Sequence, residues 1–171
     1  PCCSPLLFGE NGDSDHGFFY AVQTAIREKK LKPDEALPVT AEAHRLSPNK
    51  LRGVESITVS LALDAMMTAS DNGAAHLLAK RVGALYGKDS VDLLNDTVSK
   101  LGLKKTHFIN AGGLPAKEDA TSQAGEKTTT AHEMATLIQR IHKDFPADLA
   151  PMKKSSVTYG VDKENKPATH E

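Results

Sequence analysis

The sequence predicts a mainly α-helical fold with a few short strands. Apolar residues recur at intervals of three and four along several segments, as they do on the buried face of a helix. Most of these segments begin near a Ser, Thr or Asp that can cap a helix and end near Gly or Pro. Only short stretches alternate apolar and polar residues. We expect helices near residues 18–31, 57–69, 72–83, 89–101 and 131–143.

The first predicted helix carries an apolar face that includes Phe18, Val22 and Ala25. The stretch KPDE at 32–35 is expected to end it, because proline disfavours helix in the residue before it. Scattered Pro, Gly and Ser at 36–56 then predict a surface connection that holds at most one brief strand.

The next two helices are predicted to meet at a polar triplet, Ser70–Asp71–Asn72. Thr58 is a candidate N-cap of the helix before it. Small polar residues in such a junction accept hydrogen bonds from free backbone N–H groups, so a cap for the following helix is the simplest interpretation of Asp71. Gly83 follows the apolar stripe of that helix and is the candidate C-cap.

The remaining elements are predicted from caps and alternation. The segment THFIN at 106–110 suits a short strand or an extended loop. Thr130 and Glu133 form a capping box at the start of the last helix, each expected to accept a backbone N–H of the other. The tail alternates weakly through 157–161, where one strand is predicted.

The composition is that of a globular protein. The 171 residues suit one domain, and 21 Lys and Arg against 22 Asp and Glu leave a net charge of −1. Aromatic residues make up 5%, and no basic stripe with stacking aromatics is present, so we expect no nucleic-acid partner. No apolar run approaches the length of a transmembrane helix, and no stretch of the given sequence has the pattern of a signal peptide.

No metal or cofactor is expected. Cys2 and Cys3 are adjacent and offer neither a disulfide framework nor spaced metal ligands. His132-Glu133 lacks the second histidine of a zinc helix. The stretch NGDSDHG at 11–17 begins like a calcium loop but lacks the closing glutamate, and GENG lacks the Lys-Ser/Thr of a phosphate loop.

Three longer stretches carry a family resemblance over roughly residues 20–160. They read, in order, ITVSLALDAMMTASDNGAAHLLAKRVG, LLNDTVSKLGLKKTHFINAGGLP and TTTAHEMATLIQRIHKDFP. This order resembles the serine-type D-alanyl-D-alanine carboxypeptidases, the low-molecular-mass penicillin-binding proteins. KTHFINAGGLP is the most specific part, since the related class A β-lactamases lack it. The resemblance implies the helical part of a β-lactamase/transpeptidase-like α+β domain, with residues 1–171 forming a single, incomplete domain.

The resemblance also assigns a site. In this family a Ser-x-Asn triplet is the second of three active-site motifs, and here it reads Ser70–Asp71–Asn72. It implies that Ser70 relays a proton beside the lysine of the nucleophile. Asn72 would bond both that lysine and the substrate backbone, so Ser70 and Asn72 are the predicted catalytic residues and Asn72 the predicted substrate-binding residue. Asp71 occupies the variable middle position.

The first and third motifs are not found. The Ser-x-x-Lys motif should lie near Gly12 and Asp15, where the sequence reads GDSD, and Ser14 has Gly17 three residues later rather than a lysine. No Lys-Thr-Gly follows the predicted strand at 157–161.

A formal Ser-x-x-Lys occurs instead as SPNK, Ser47 to Lys50, in the predicted connection. Family order puts no nucleophile there. Pro48 opposes the helical turn that would bring Lys50 to Ser47. We therefore predict a surface turn.

The implied function belongs to peptidoglycan metabolism outside the cytoplasmic membrane. The family forms a serine acyl-enzyme with the D-Ala-D-Ala end of the stem peptide, binds β-lactam antibiotics and uses no cofactor. Membrane contact would come only through segments outside this chain. With two motifs missing, we expect no activity from the chain as it stands. A truncated or altered chain, a silent homologue that binds peptidoglycan or a protein partner, and a small helical protein with a chance match remain open. So do carboxypeptidase against endopeptidase activity and the oligomeric state.

Overall fold

The computed structural model describes residues 12–110 and 127–171, and most of these residues are helical. Cys2, Cys3, the glycine stretch at 9–11 and the AGGLP stretch at 111–115 lie outside them. The mainly α-helical class with a few short strands is confirmed. In chain order the elements are α1 (Gly12–Arg27), β1 (Ala36–Pro38), α2 (Ala41–Leu46), β2 (Ser56–Thr58), α3 (Val59–Ala69), α4 (Asn72–Tyr86), α5 (Ser90–Lys100), α6 (Ala131–Asp144), α7 (Ala150–Lys153), β3 (Val157–Val161) and β4 (Pro167–His170).

Helix α3 lies at the centre of the described structure. Its sequence is apolar on nearly every side, and most of its residues are buried. Helices α1, α4 and α7 pack against it, and α4 also contacts α2 and α5. Phe18 and Phe19 of α1 are fully buried in the shared core. Among the described residues Ile138 is the one large apolar side chain classed as exposed, so these helices cover each other's apolar faces.

The strands form two separate antiparallel pairs. Leu37 of β1 lies opposite Ile57 of β2, and Val157 of β3 lies opposite His170 of β4. The register of the second pair shifts between Thr158 and Val161. The strand predicted at 157–161 is confirmed, whereas β4 was not predicted because its short sequence, PATH, is polar.

Both boundaries of the first helix differ from prediction. Helix α1 begins at Gly12 rather than near 18 and ends at Arg27 rather than near 31. It ends before the proline because Lys29 takes the left-handed conformation (φ 58°), and the N–H of Lys30 donates back to Ala25 at 3.0 Å.

The C-cap prediction for Gly83 is wrong. Helix α4 continues to Tyr86, and Gly87 (φ 63°) is its C-cap. Gly83 lies inside the helix, where a Cβ would be 2.7 Å from the carbonyl oxygen of Lys88. The glycine therefore allows the chain after α4 to pass close to the helix.

The connection predicted for 36–56 lies mostly at the surface and holds one brief strand, β1, as expected, but it is more ordered than predicted. It also contains α2 and leads into β2, and both Ala43 and Leu51 are fully buried. Thr40 caps α2 by accepting the N–H of Ala43 at 3.2 Å. Helix α2 has six residues, too few for an apolar period to appear in the sequence.

The capping box of α6 is half correct. Thr130 accepts the N–H of Glu133 at 3.2 Å, as predicted. The Glu133 carboxylate does not return to Thr130; it accepts the N–H of Lys105 at 3.0 Å and the Thr106 hydroxyl at 2.6 Å. Glu133 thus ties α6 to the THFIN segment, whose extended form is held by a β-bridge between His107 and Thr128.

Candidate functional site

The Ser70–Asp71–Asn72 triplet makes the turn between α3 and α4. Ser70 takes the left-handed conformation (φ 45°, ψ 49°), which is uncommon for a residue with a side chain. The N–H groups of Ser70 and Asp71 both donate to the carbonyl oxygen of Ala65, the latter at 3.2 Å. This tight turn leaves Ser70 exposed and Asn72 half-buried at the first position of α4.

Asp71 stabilises this turn through hydrogen bonds. Its prediction as a helix cap is confirmed. Asp71 is 1% exposed, and its carboxylate accepts the N–H groups of Gly73 at 2.9 Å and Ala74 at 3.1 Å. It also accepts the hydroxyls of Ser47 and Tyr159. Burial, and then the negative charge of Asp71, raise the pKa of the Tyr159 hydroxyl well above its usual range, so this tyrosine stays a donor. The sequence did not reveal that Asp71 joins α4 to two distant segments.

Gly73 allows α2 to approach α4 beneath the turn. A Cβ at this position would lie 2.5 Å from Cδ1 of Leu51 and 2.6 Å from the carbonyl oxygen of Ala43. The N–H of Gly73 also donates to Oγ of Ser47 at 2.9 Å. The glycine after the triplet is therefore a packing requirement of the site, a role that the sequence did not indicate.

The SPNK segment is a turn with Pro48 and Asn49 exposed, as predicted, but its first residue is buried. Ser47 is 6% exposed, and its hydroxyl donates to Asp71 while it accepts from Gly73. Lys50 donates its ammonium to the carbonyl oxygen of Ala69. The segment turns inward because the fully buried Leu51 follows it. Since Ser47 and Lys50 hydrogen-bond other groups, they do not form a nucleophile-base pair in this structure.

Asp15 lies where the family pattern expects a lysine. It projects from α1, is 5% exposed, and accepts the Ser70 hydroxyl at a long 3.5 Å. Burial raises its pKa from the ordinary 3.8 to about 8, opposed by the Ser70 hydrogen bond and by the charges of Lys127 and Lys50. The Asp15 carboxyl is therefore mostly neutral at pH 7.

Position 12 is the first residue of α1, one helical turn before Asp15, and it is glycine. The motif expected to supply the nucleophile and its lysine therefore supplies neither here. Ser14 is fully buried between these positions and cannot meet a substrate.

The site offers hydrogen bonds rather than an activated nucleophile. The Ser70 hydroxyl bonds a carboxyl that is mostly protonated at pH 7, which leaves little carboxylate to act as its base. The Asn72 side chain is half-buried, and its amide hydrogen-bonds none of the residues that the structure describes. Catalysis by Ser70 and Asn72 stays a prediction.

The described part of the chain contains no group of three His, Cys, Asp or Glu side chains that could hold a metal ion. None of its helices is long and apolar enough to cross a bilayer.

Comparisons with solved structures identify the fold. The D-alanyl-D-alanine carboxypeptidase DacD from Francisella tularensis aligns with a TM-score of 0.76 and 25% identity, over 92% of this chain and 36% of that enzyme. PBP3 from Streptococcus pneumoniae, described as a peptidoglycan synthesis regulatory factor, aligns with a TM-score of 0.78 and 21% identity, over 94% and 50%. Penicillin-binding protein D2 from Listeria monocytogenes, solved in an ampicillin-bound form, aligns with a TM-score of 0.69 and 22% identity, over 94% and 61%.

The chain thus spans about a third to three fifths of the length of these proteins. No curated protein sequence matches it significantly. A family profile described as the beta-lactamase enzyme family matches residues 17–151, most of the chain. With the fold of the serine-type D,D-carboxypeptidases and this match, the chain belongs to the beta-lactamase enzyme family.

Proposed function

We propose that this chain is a catalytically silent D-alanyl-D-alanine carboxypeptidase-type protein of peptidoglycan metabolism. In this proposal it acts outside the cytoplasmic membrane, and its site around Ser70 and Asn72 binds peptides that end in D-Ala-D-Ala without cleaving them. The observation that carries the proposal is the contact between Asp15 and Ser70, which puts a buried carboxyl where the family pattern expects a lysine.

The absence of acyl transfer follows from the chemistry of the missing pair. A serine attacks a peptide carbonyl only when a neighbouring base takes its proton. The expected nucleophile position holds Gly12, and Asp15 is mostly protonated at neutral pH. Loss of a nucleophile-base pair costs on the order of a millionfold in rate in serine hydrolases, so residual turnover falls below detection.

Retained binding is supported by the rigidity of the turn. Asp71 receives four hydrogen bonds, and the turn packs between α2 and β3. The Ser70 hydroxyl and the Asn72 amide thus belong to a turn that hydrogen bonds fix in place, as a binding site requires. A hydroxyl and an amide together can donate to and accept from a peptide backbone.

Two measurements test the proposal. Intact-protein mass spectrometry after incubation with excess benzylpenicillin is expected to show no mass increase. Calorimetry with diacetyl-L-Lys-D-Ala-D-Ala is expected to show binding, while an assay for free D-alanine shows no release. A Ser70→Ala variant removes one of the two proposed binding groups and is expected to weaken binding.

An adduct of one drug molecule, or release of D-alanine, would overturn the silent assignment. Peptide mapping would then show whether Ser14, Ser47 or Ser70 is the nucleophile. Failure of the tripeptide to bind would overturn the binding function.

A further inference from the structure

Lys50 places a positive charge beside the Ser-Asp-Asn turn. Its ammonium donates to the carbonyl oxygen of Ala69, the residue directly before Ser70. The backbone that carries Lys50 is held on two sides: the N–H of Leu51 donates to Ser47 at 3.0 Å, and Gly160 of β3 lies against the Lys50 carbonyl. The ammonium is therefore positioned by the fold.

Among the residues that the structure describes, no carboxylate contacts this charge directly. Within the described residues Lys50 forms no ion pair, and the Asp71 carboxylate is occupied by four other donors. The Lys50 charge lowers the pKa of Asp15 slightly without direct contact, but burial keeps the Asp15 carboxyl mostly neutral at pH 7. The hydroxyl of Ser70 and the amide of Asn72 thus belong to one short turn, and the ammonium of Lys50 contacts the residue directly before that turn.

This donor set matches the end of a peptide. A carboxylate forms its strongest hydrogen bonds with charged donors, and the neighbouring peptide group needs a donor and an acceptor. We propose that Lys50 binds the terminal carboxylate of the peptide held at this site, so that the protein recognises a free C-terminus. This inference rests on the proposed binding function and adds its specificity-determining residue.

A purely structural role for Lys50 gives a different expectation. The Ala69 carbonyl lies at the C-terminal end of α3, where a cation is favourable, so removal of Lys50 could lower stability without any effect on ligands. Only the ligand role predicts a loss of discrimination between a C-terminal acid and its amide. The acid-to-amide affinity ratio therefore separates the two roles.

The experiment compares diacetyl-L-Lys-D-Ala-D-Ala with its C-terminal carboxamide by calorimetry at pH 7. The wild-type chain is expected to bind the acid about tenfold more tightly, as a charge-assisted hydrogen bond provides. Lys50→Met is expected to bind both peptides equally, and Lys50→Arg to keep the preference. Lys80→Met, which removes an exposed lysine of α4 that pairs with Glu42, is the control and is expected to match wild type.

Equal binding of acid and amide by wild type overturns this inference alone, even if Lys50→Met fails to fold. A folded Lys50→Met that keeps the preference also overturns it. Failure of wild type to bind either peptide overturns the proposed function itself.

Discussion

Replacing Asp15 by asparagine is expected to stabilise the protein increasingly as the pH rises. The folded protein holds the Asp15 proton up to a pKa of about 8, whereas the unfolded chain releases it near 3.8. The folded state therefore binds more protons between these values, and stability falls as the pH rises through this window. Asparagine is neutral at every pH and can still accept the Ser70 hydroxyl.

The size of the effect follows from the two pKa values. Each pKa unit corresponds to about 1.4 kcal/mol. The buried Asp15 carboxyl therefore lowers the free energy of unfolding by about 1.6 kcal/mol at pH 5, about 4 kcal/mol at pH 7 and about 6 kcal/mol above pH 8. The advantage of Asp15→Asn over wild type is thus expected to grow by about 4 kcal/mol from pH 5 to pH 9.

Urea unfolding of both proteins at pH 5, 7 and 9, followed by circular dichroism, measures this difference. Asp96→Asn is the matched control, because Asp96 is exposed and Lys88 lowers its pKa. Asp96→Asn is expected to show no gain at high pH. Parallel pH profiles for wild type and Asp15→Asn would refute the placement of Asp15 as a buried carboxyl.

Two further substitutions test the turn that Asp71 stabilises. Gly73→Ala is expected to destabilise the fold by about 1–3 kcal/mol in urea unfolding, because its Cβ meets a backbone carbonyl of α2. Gly102→Ala, where nothing lies within 4 Å of a Cβ and only the positive φ opposes alanine, is the control, and an equal or larger loss there would contradict the packing argument. Tyr159→Phe is expected to lower the free energy of unfolding by about 1–3 kcal/mol, because the buried Asp71 carboxylate then accepts one hydrogen bond fewer. Tyr86→Phe removes an exposed hydrogen bond to Glu28, so a thermal-melt shift as large as that of Tyr159→Phe would count against a buried network.

Local features of the sequence determined most of the helices and their caps. Thr58, Asp71 and Thr130 cap α3, α4 and α6 because a cap hydrogen bond joins residues two or three positions apart. Apolar periodicity located the five longer helices, since each must bury one face over several turns. The position of the Ser-Asp-Asn turn followed from these helices, whereas the family resemblance implied that position 15 corresponds to the missing lysine.

Tertiary structure alone decided how the turn is supported and charged. Ser47, Asp71 and Tyr159 lie 24 and 88 positions apart, and no local period or cap links them. Asp15 meets Ser70 across 55 positions, and its proton is retained because the packed helices exclude water from its carboxyl. Lys50 reaches Ala69 only because α2 and β3 hold its loop in place. A sequence determines contacts within a few residues through its backbone geometry, but burial and charge at a site arise only when distant segments pack together.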